Sequence, residues 1–365
     1  MKRTTIFLAA LALVAASCTK TEVVSDKTQD SVKGIGFSAY TSRPTKTAQK
    51  DVTTENLSSF KVTAIGNTNN ITLFKDITFS HVNTGDPWVS DPLYFWPNYA
   101  LDFYAYNTPE YGDFDKSAVV SEKKLTFTPS QNISEHEDLV AAYAPDQTDP
   151  SGSTVLPFHH YLTQVIVKAK NSSTSYTVEV DGVKLANFLE KGSYTFTDNK
   201  MTAGGNKINY YAYFTSATLD DTESEMMTDG DAGKWHLVPQ NVISWARTTE
   251  MDNASKGTYL GLRVKITAPN GLVIYPATGE NYAWMAVEIP ESLKFEQGKK
   301  YTVILDFFSS TGKGAGYVDP EEPGDLDGDG NADDDDKGKA IVGGAIQFDA
   351  RVDVWTEETV ITISL

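Results

Sequence analysis

Leu260-Gly261-Leu262-Arg263-Val264-Lys265-Ile266 alternates an apolar residue with a small or charged one along its whole length. In an extended chain successive side chains point to opposite faces, so Leu260, Leu262, Val264 and Ile266 share one face, and Arg263 and Lys265 share the other. A helix would scatter the same residues around its axis. The pattern recurs on both sides of this stretch. Ile35/Phe37/Ala39, Phe60/Val62/Ala64, Leu101/Phe103/Ala105, Val165/Val167/Ala169 and Tyr176/Val178/Val180 precede it. Tyr301/Val303/Leu305/Phe307, Ile346/Phe348/Ala350/Val352/Val354 and Ile361/Ile363/Leu365 follow. Short period-two runs separated by Gly, Asn, Asp, Ser and Pro clusters are the pattern of antiparallel sheets with one buried face. The 18 Tyr and 17 Phe agree, since aromatic rings favour a pleated, half-buried surface. The expectation is an all-β chain folded as two β-sandwich domains. No short-period repeat points to a solenoid or propeller.

The N-terminal end predicts the compartment. Lys2 and Arg3 precede the apolar run Ile6–Ala16, which is too short to span a bilayer. Val14-Ala15-Ala16-Ser17-Cys18 follows and is similar to the lipobox of bacterial lipoproteins, in which the cysteine is acylated. Cys18 is the only cysteine in the chain, so it has no internal disulfide partner. The reading is a signal peptide over 1–17, a lipidated polar tether over 18–32, and a location at the outer membrane or cell surface. The polar stretch Asp146–Thr154 suggests a division into an N-terminal body over 33–150 and a C-terminal body over 151–365.

The net charge of −18 argues against nucleic acid and anionic membrane surfaces, leaving the lipid as the only expected membrane contact. About half of that charge falls in an insertion at 318–337, which holds ten Asp or Glu against one Lys. Within it, Asp325, Asp327, Asp329, Asn331, Asp333 and Asp336 fall at the spacing of a 12-residue calcium loop, with Gly330 at the sharp turn. Hard oxygen ligands so spaced suit Ca²⁺. The prolines before the loop and the glycine after it do not suit flanking helices.

Four stretches stand in order along the chain. Ile35–Thr41 is followed by Arg43-Pro44-Thr45-Lys46-Thr47 and then Leu57-Ser58-Ser59-Phe60-Lys61-Val62. Tyr94-Phe95-Trp96-Pro97 leads to Leu101–Tyr106, and Asp138–Ala142 leads to Leu156-Pro157-Phe158-His159-His160-Tyr161-Leu162. Val352-Asp353-Val354-Trp355 lies near the end. Together these stretches resemble the fimbrillin family of Bacteroidetes, and the resemblance implies transthyretin-like, Greek-key sandwiches and a pilus subunit exported as a lipoprotein. It also implies cleavage after a basic residue, which removes the first strand, and filling of the resulting groove by a strand from the next subunit. Arg43 precedes a proline, so Lys46 or Lys50 is the better cleavage site. The expected donor strand carries Val360, Ile361, Ile363 and Leu365. Expected partners are other pilus subunits, as a homopolymer or with tip and anchor proteins, and a host or bacterial surface ligand.

Enzymatic motifs are absent from the sequence. His136-Glu137 begins like a metalloprotease helix, but Val140 occupies the second histidine position. His159 and His160 are neighbours on a strand and point apart, and the reading for His160 is structural. Trp88, Trp96, Trp235, Trp284 and Trp355 suit core positions better than a sugar platform. The sequence therefore predicts a protein that is not an enzyme. The competing reading is a pilus anchor that keeps its lipid, or a monomeric surface lipoprotein that binds glycan or host ligand.

Overall fold

The sequence alternation becomes 23 strands among the described residues, with one short α-helix and one 3-10 turn. This computed structural model describes residues 34–41, 51–53, 56–83, 86–148, 154–226, 234–247, 257–354 and 361–363. The chain opens with β1 (Gly36–Thr41), β2 (Ser59–Gly66), β3 (Thr72–Ser80), β4 (Trp88–Val89) and β5 (Leu101–Tyr106). After β6 (Asp113–Asp115), the helix α1 (Val119–Glu122) and β7 (Lys124–Thr128) come β8 (Val140–Gln147) and β9 (Thr154–His160). Seven of these close a barrel in the order β1-β4-β3-β2-β5-β8-β9. The closing strand is β1, antiparallel to β4 and parallel to β9, with Phe37 opposite Thr154 and Thr41 opposite Phe158. The inward residues form an aromatic core: Phe37 meets Phe79 and Phe103 at centroid distances of 4.8 and 4.9 Å, both edge-on. Such pairs add about 0.5–1.5 kcal/mol each beyond burial.

The second body is a sandwich. One sheet contains β10 (Thr163–Asn171), β13 (Ser224–Glu225), β14 (Trp235–Leu237), β20 (Lys299–Phe307), β22 (Gln347–Val354) and β23 (Ile361–Ile363). The other contains β11 (Thr177–Thr195), β12 (Lys200–Thr218), β16 (Tyr259–Thr267), β17 (Val273–Tyr275), β18 (Ala283–Glu288) and β21 (Tyr317–Val318), together with β6 and β7. A separate two-strand pair joins β15 (Gln240–Asn241) to β19 (Lys294–Phe295). The sandwich core is built from the alternating sets read in the sequence, with Val165 and Val167 facing the side of Leu260, Leu262 and Val264, and Tyr301, Val303 and Leu305 among them.

The expected boundary at 150/151 does not match the ladders. β9 lies beyond it yet pairs with β8 and β1, while β6 and β7 lie before it and extend the second body's sheet through β11. The polar stretch at 146–154 therefore connects two strands of one barrel. A third apolar cluster explains why the bodies do not separate there. Ile65, Tyr104, Tyr106 and Ala141, on the outer face of the barrel strands, pack with Leu125, Phe127, Tyr194, Phe196 and Val238. Strands such as β5 are consequently buried on both faces.

Candidate functional site

The element best placed to act is β1 with the chain that follows it. Ile35 and Phe37 are fully buried in the barrel, and β1 is held by its ladders with β9 and β4 and by the rings that pack on Phe37. The basic positions Arg43, Lys46 and Lys50 lie outside the described residues, between Thr41 and Asp51. The chain is fixed again at Asp51, whose carboxylate is almost fully buried. Lys300 Nζ donates to its Oδ2 at 2.7 Å, and Gln164 Nε2 donates to its Oδ1 at 2.7 Å. His236 Nε2 stands 3.6 Å from that second oxygen. Burial pushes the Asp51 carboxyl up, but the His236 ring and the Lys300 ammonium outweigh it and hold the group far below the usual carboxylate range. The next residue is also held: the Val52 amide donates to Asp138 Oδ2 at 2.7 Å, and the same oxygen lies 2.8 Å from His160 Nδ1. A cleft of about 310 Å³ opens beside this anchor, bordered by Asp51, Tyr111, Glu135, Glu137 and Asp138.

His160 is thus buried against Asp138, while His159 is exposed, so the two rings face opposite ways. Nothing in the sequence pattern pointed to Asp51. An aspartate directly after a lysine in a polar run reads as solvent-facing, and its partners lie more than a hundred residues away.

The C-terminal strand β23 pairs antiparallel with β22, with Ile361 opposite Val352 and Ile363 opposite Ala350. It is the outermost strand of its sheet. Val360 and Leu365, expected to belong to the donor strand, lie outside the described residues, as do Cys18 and Trp355. Trp88, Trp235 and Trp284 are buried, as core positions require.

In the acidic insertion the structure brings together three of the six proposed ligands. Carboxylate oxygens of Asp325, Asp327 and Asp336 lie within 4.8 Å of one another, with Asp325 and Asp336 buried. Asp329, Asn331 and Asp333 are exposed, and the amides of Asn331 and Asp335 donate to Asp329 and Asp333 in local turns. Thr278 donates to Asp325 Oδ2, and the amides of Gly328 and Gly330 donate to its two oxygens at 2.8 and 3.1 Å. These bonds, that from Thr278 above all, hold the Asp325 carboxyl below its ordinary value, whereas burial pushes Asp336 up. Lys339 Nζ lies 3.4 Å from Asp336 Oδ1 and 3.9 Å from Asp327 Oδ2, so a lysine ammonium already borders the three carboxylates.

The described residues thus form an all-β chain in which β1 closes a barrel and β23 lies at the edge of a second sheet. Residues 24–313 match the family described as fimbrillin-like, and the chain belongs to that family. Among solved structures, it is similar to a candidate cell adhesion protein from Parabacteroides distasonis (9% identity, TM-score 0.49, covering 89% of this chain and 100% of that one). It is similar to another from Bacteroides uniformis (14% identity, TM-score 0.44, covering 90% and 100%). It is also similar to the fimbrial anchor protein Mfa2 from Porphyromonas gingivalis (10% identity, TM-score 0.33, covering 75% and 91%). No curated protein sequence matches the chain.

Proposed function

We propose that this chain is a structural subunit of a cell-surface pilus. It is exported as a lipoprotein acylated at Cys18, cut within 43–50, and polymerised when a strand from a neighbouring subunit replaces β1. The observation that carries this reading is the position of β1. It closes the barrel between β4 and β9, and it leads into a basic segment whose far end is fixed by the buried Asp51. Removing it would expose the backbone edge of β9 and the apolar slot that holds Ile35 and Phe37. Each such side chain is worth about 1.5–3 kcal/mol of burial, so the open slot has a strong drive to take a strand. The alternation Ile361, Ile363, Leu365 matches the alternation Ile35, Phe37, Ala39, and pairing through backbone with alternate side chains in pockets is β-augmentation. In the acidic insertion, Asp325, Asp327 and Asp336 are the residues that would hold Ca²⁺.

N-terminal mapping by mass spectrometry of the protein recovered from its own cells tests the reading. The expected start is Thr47 or Asp51, and replacing Arg43, Lys46 and Lys50 together should abolish fibres. A start at acylated Cys18, or normal fibres from the triple variant, rejects it. The Cys18 result would favour an anchor subunit or a monomeric binding lipoprotein. One observation favours a ligand surface in either case: Tyr213 is 62% exposed and stacks on Tyr211 with an interplanar angle of 4°.

A further inference from the structure

Lys184 lies in the middle of β11 and is completely buried, as is Asp319, just beyond β21. Lys184 Nζ lies 2.6 Å from Asp319 Oδ2 and 2.9 Å from Glu322 Oε2. The rings of Tyr259 and Trp284 stand 5.3 Å from the same nitrogen, and that of Tyr211 stands 5.9 Å away. Gly261 faces it from β16, where a Cβ would come within 3.1 Å of the Lys184 side chain. The two oxygens of Asp319 are treated differently. Oδ1 accepts from the Tyr259 hydroxyl at 3.0 Å and from the amides of Glu321 and Glu322 at 2.8 and 2.9 Å. Oδ2, despite its closeness to Nζ, has no directed hydrogen bond.

We propose that Lys184 and Asp319 join covalently, as an amide between Nζ and Cγ, with Glu322 moving the protons. A buried ion pair is favoured when its oxygens are met by directed donors. Here the three directed donors serve the oxygen away from the amine. That is the arrangement that stabilises negative charge on Oδ1 when the carboxyl carbon is attacked. A desolvated lysine is a nucleophile in its neutral form. Burial works to lower the Lys184 pKa, while the charges of Asp319 and Glu322 override it and leave the value raised. The resting pair is therefore ammonium and carboxylate, and one proton must cross from Nζ to Oδ2 before reaction. The Nζ lone pair then attacks Cγ, and charge collects on Oδ1. Glu322 takes a second proton from Nζ and gives it to Oδ2, the Cγ–Oδ2 bond breaks, and one water leaves. Nζ keeps one hydrogen as the amide N–H, and Glu322 is returned unchanged. Its side chain is 44% exposed, which gives the water a way out.

The test is peptide mapping by tandem mass spectrometry on the folded full-length chain after denaturation and digestion. The expected product is a branched species that joins the Lys184 and Asp319 peptides and is one water lighter than their sum. Asp319→Ala should give the two peptides separately. Glu322→Gln, which keeps the size and a hydrogen bond, should slow the crosslink about 100-fold or more if the proton transfer matters. Tryptophan fluorescence checks that both variants fold. Separate, unmodified peptides from the folded parent chain overturn the proposal outright. Crosslinking of Glu322→Gln at the parent rate overturns the role of Glu322.

Discussion

At the scale of single residues, two buried charge clusters carry most of what is distinctive. Asp51 sits where three elements of the second body, β10, β14 and β20, supply Gln164, His236 and Lys300. Asp51→Asn keeps the shape but removes the charge that pairs with Lys300. A loss of about 3 kcal/mol of unfolding free energy is expected, on the scale of breaking one member of a buried pair. The sign of its pH dependence follows from the depressed carboxyl. The stabilisation is fully present above the unfolded aspartate value of about 3.9 and declines as the pH falls below it. Urea midpoints for the two chains should therefore differ clearly at neutral pH and converge in acid. A constant gap would remove Asp51 from the acid response. Neither cluster was legible in the sequence. Lys184 stands between Val183 and Leu185, which reads as a polar residue facing water. It is buried because Asp319 and Glu322 fold back over that face of the sheet.

At the scale of elements, the strands were legible wherever one face met a core and the other met water. β10 alternates from Val165 to Asn171 and β16 from Leu262 to Thr267, whereas β20 is covered on both faces from Val303 onward. β2 and β5 do not announce that both of their faces are covered, because Thr63, Tyr104 and Tyr106 are compatible with either surface. The calcium-type spacing of the insertion was legible, but its folded outcome was not. Asp329 and Asp333 stay exposed and accept from the amides two residues on, and three of the five expected aspartates gather. Isothermal titration of the full chain with Ca²⁺ should show binding in the millimolar range of weak extracellular sites. Asp325→Asn together with Asp336→Asn should abolish it. No heat from the parent chain at millimolar Ca²⁺ would leave the insertion as an acidic cap on the sheet.

At the scale of the whole molecule, the alternation implied two bodies but not how they join. Tyr104, Tyr106, Tyr161, Tyr194 and Phe196 form one shared apolar cluster, with the Tyr161 and Tyr194 rings 4.8 Å apart. A shared interior couples the unfolding of its owners. Calorimetry should therefore give one transition, with calorimetric and van't Hoff enthalpies in agreement. Two resolved transitions would mean that the cluster is only a docking surface. The same coupling makes the break at 146–154 a poor place to divide the chain, since a fragment ending there would lack β9.

The long strand β11 has a mechanical meaning. Its first half pairs with β16 inside the sandwich, and its last residues pair with β7, next to the cluster that grips the barrel. One continuous beam therefore runs from the sandwich core to the seam with the barrel, where Tyr194 near its end enters the shared cluster. A tensile load on one end of the beam reaches the other through covalent backbone and ladders of many hydrogen bonds, and it crosses to the barrel through the packed rings of that cluster. A pull along it would have to shear paired strands and a packed aromatic seam, both stiff against small extensions.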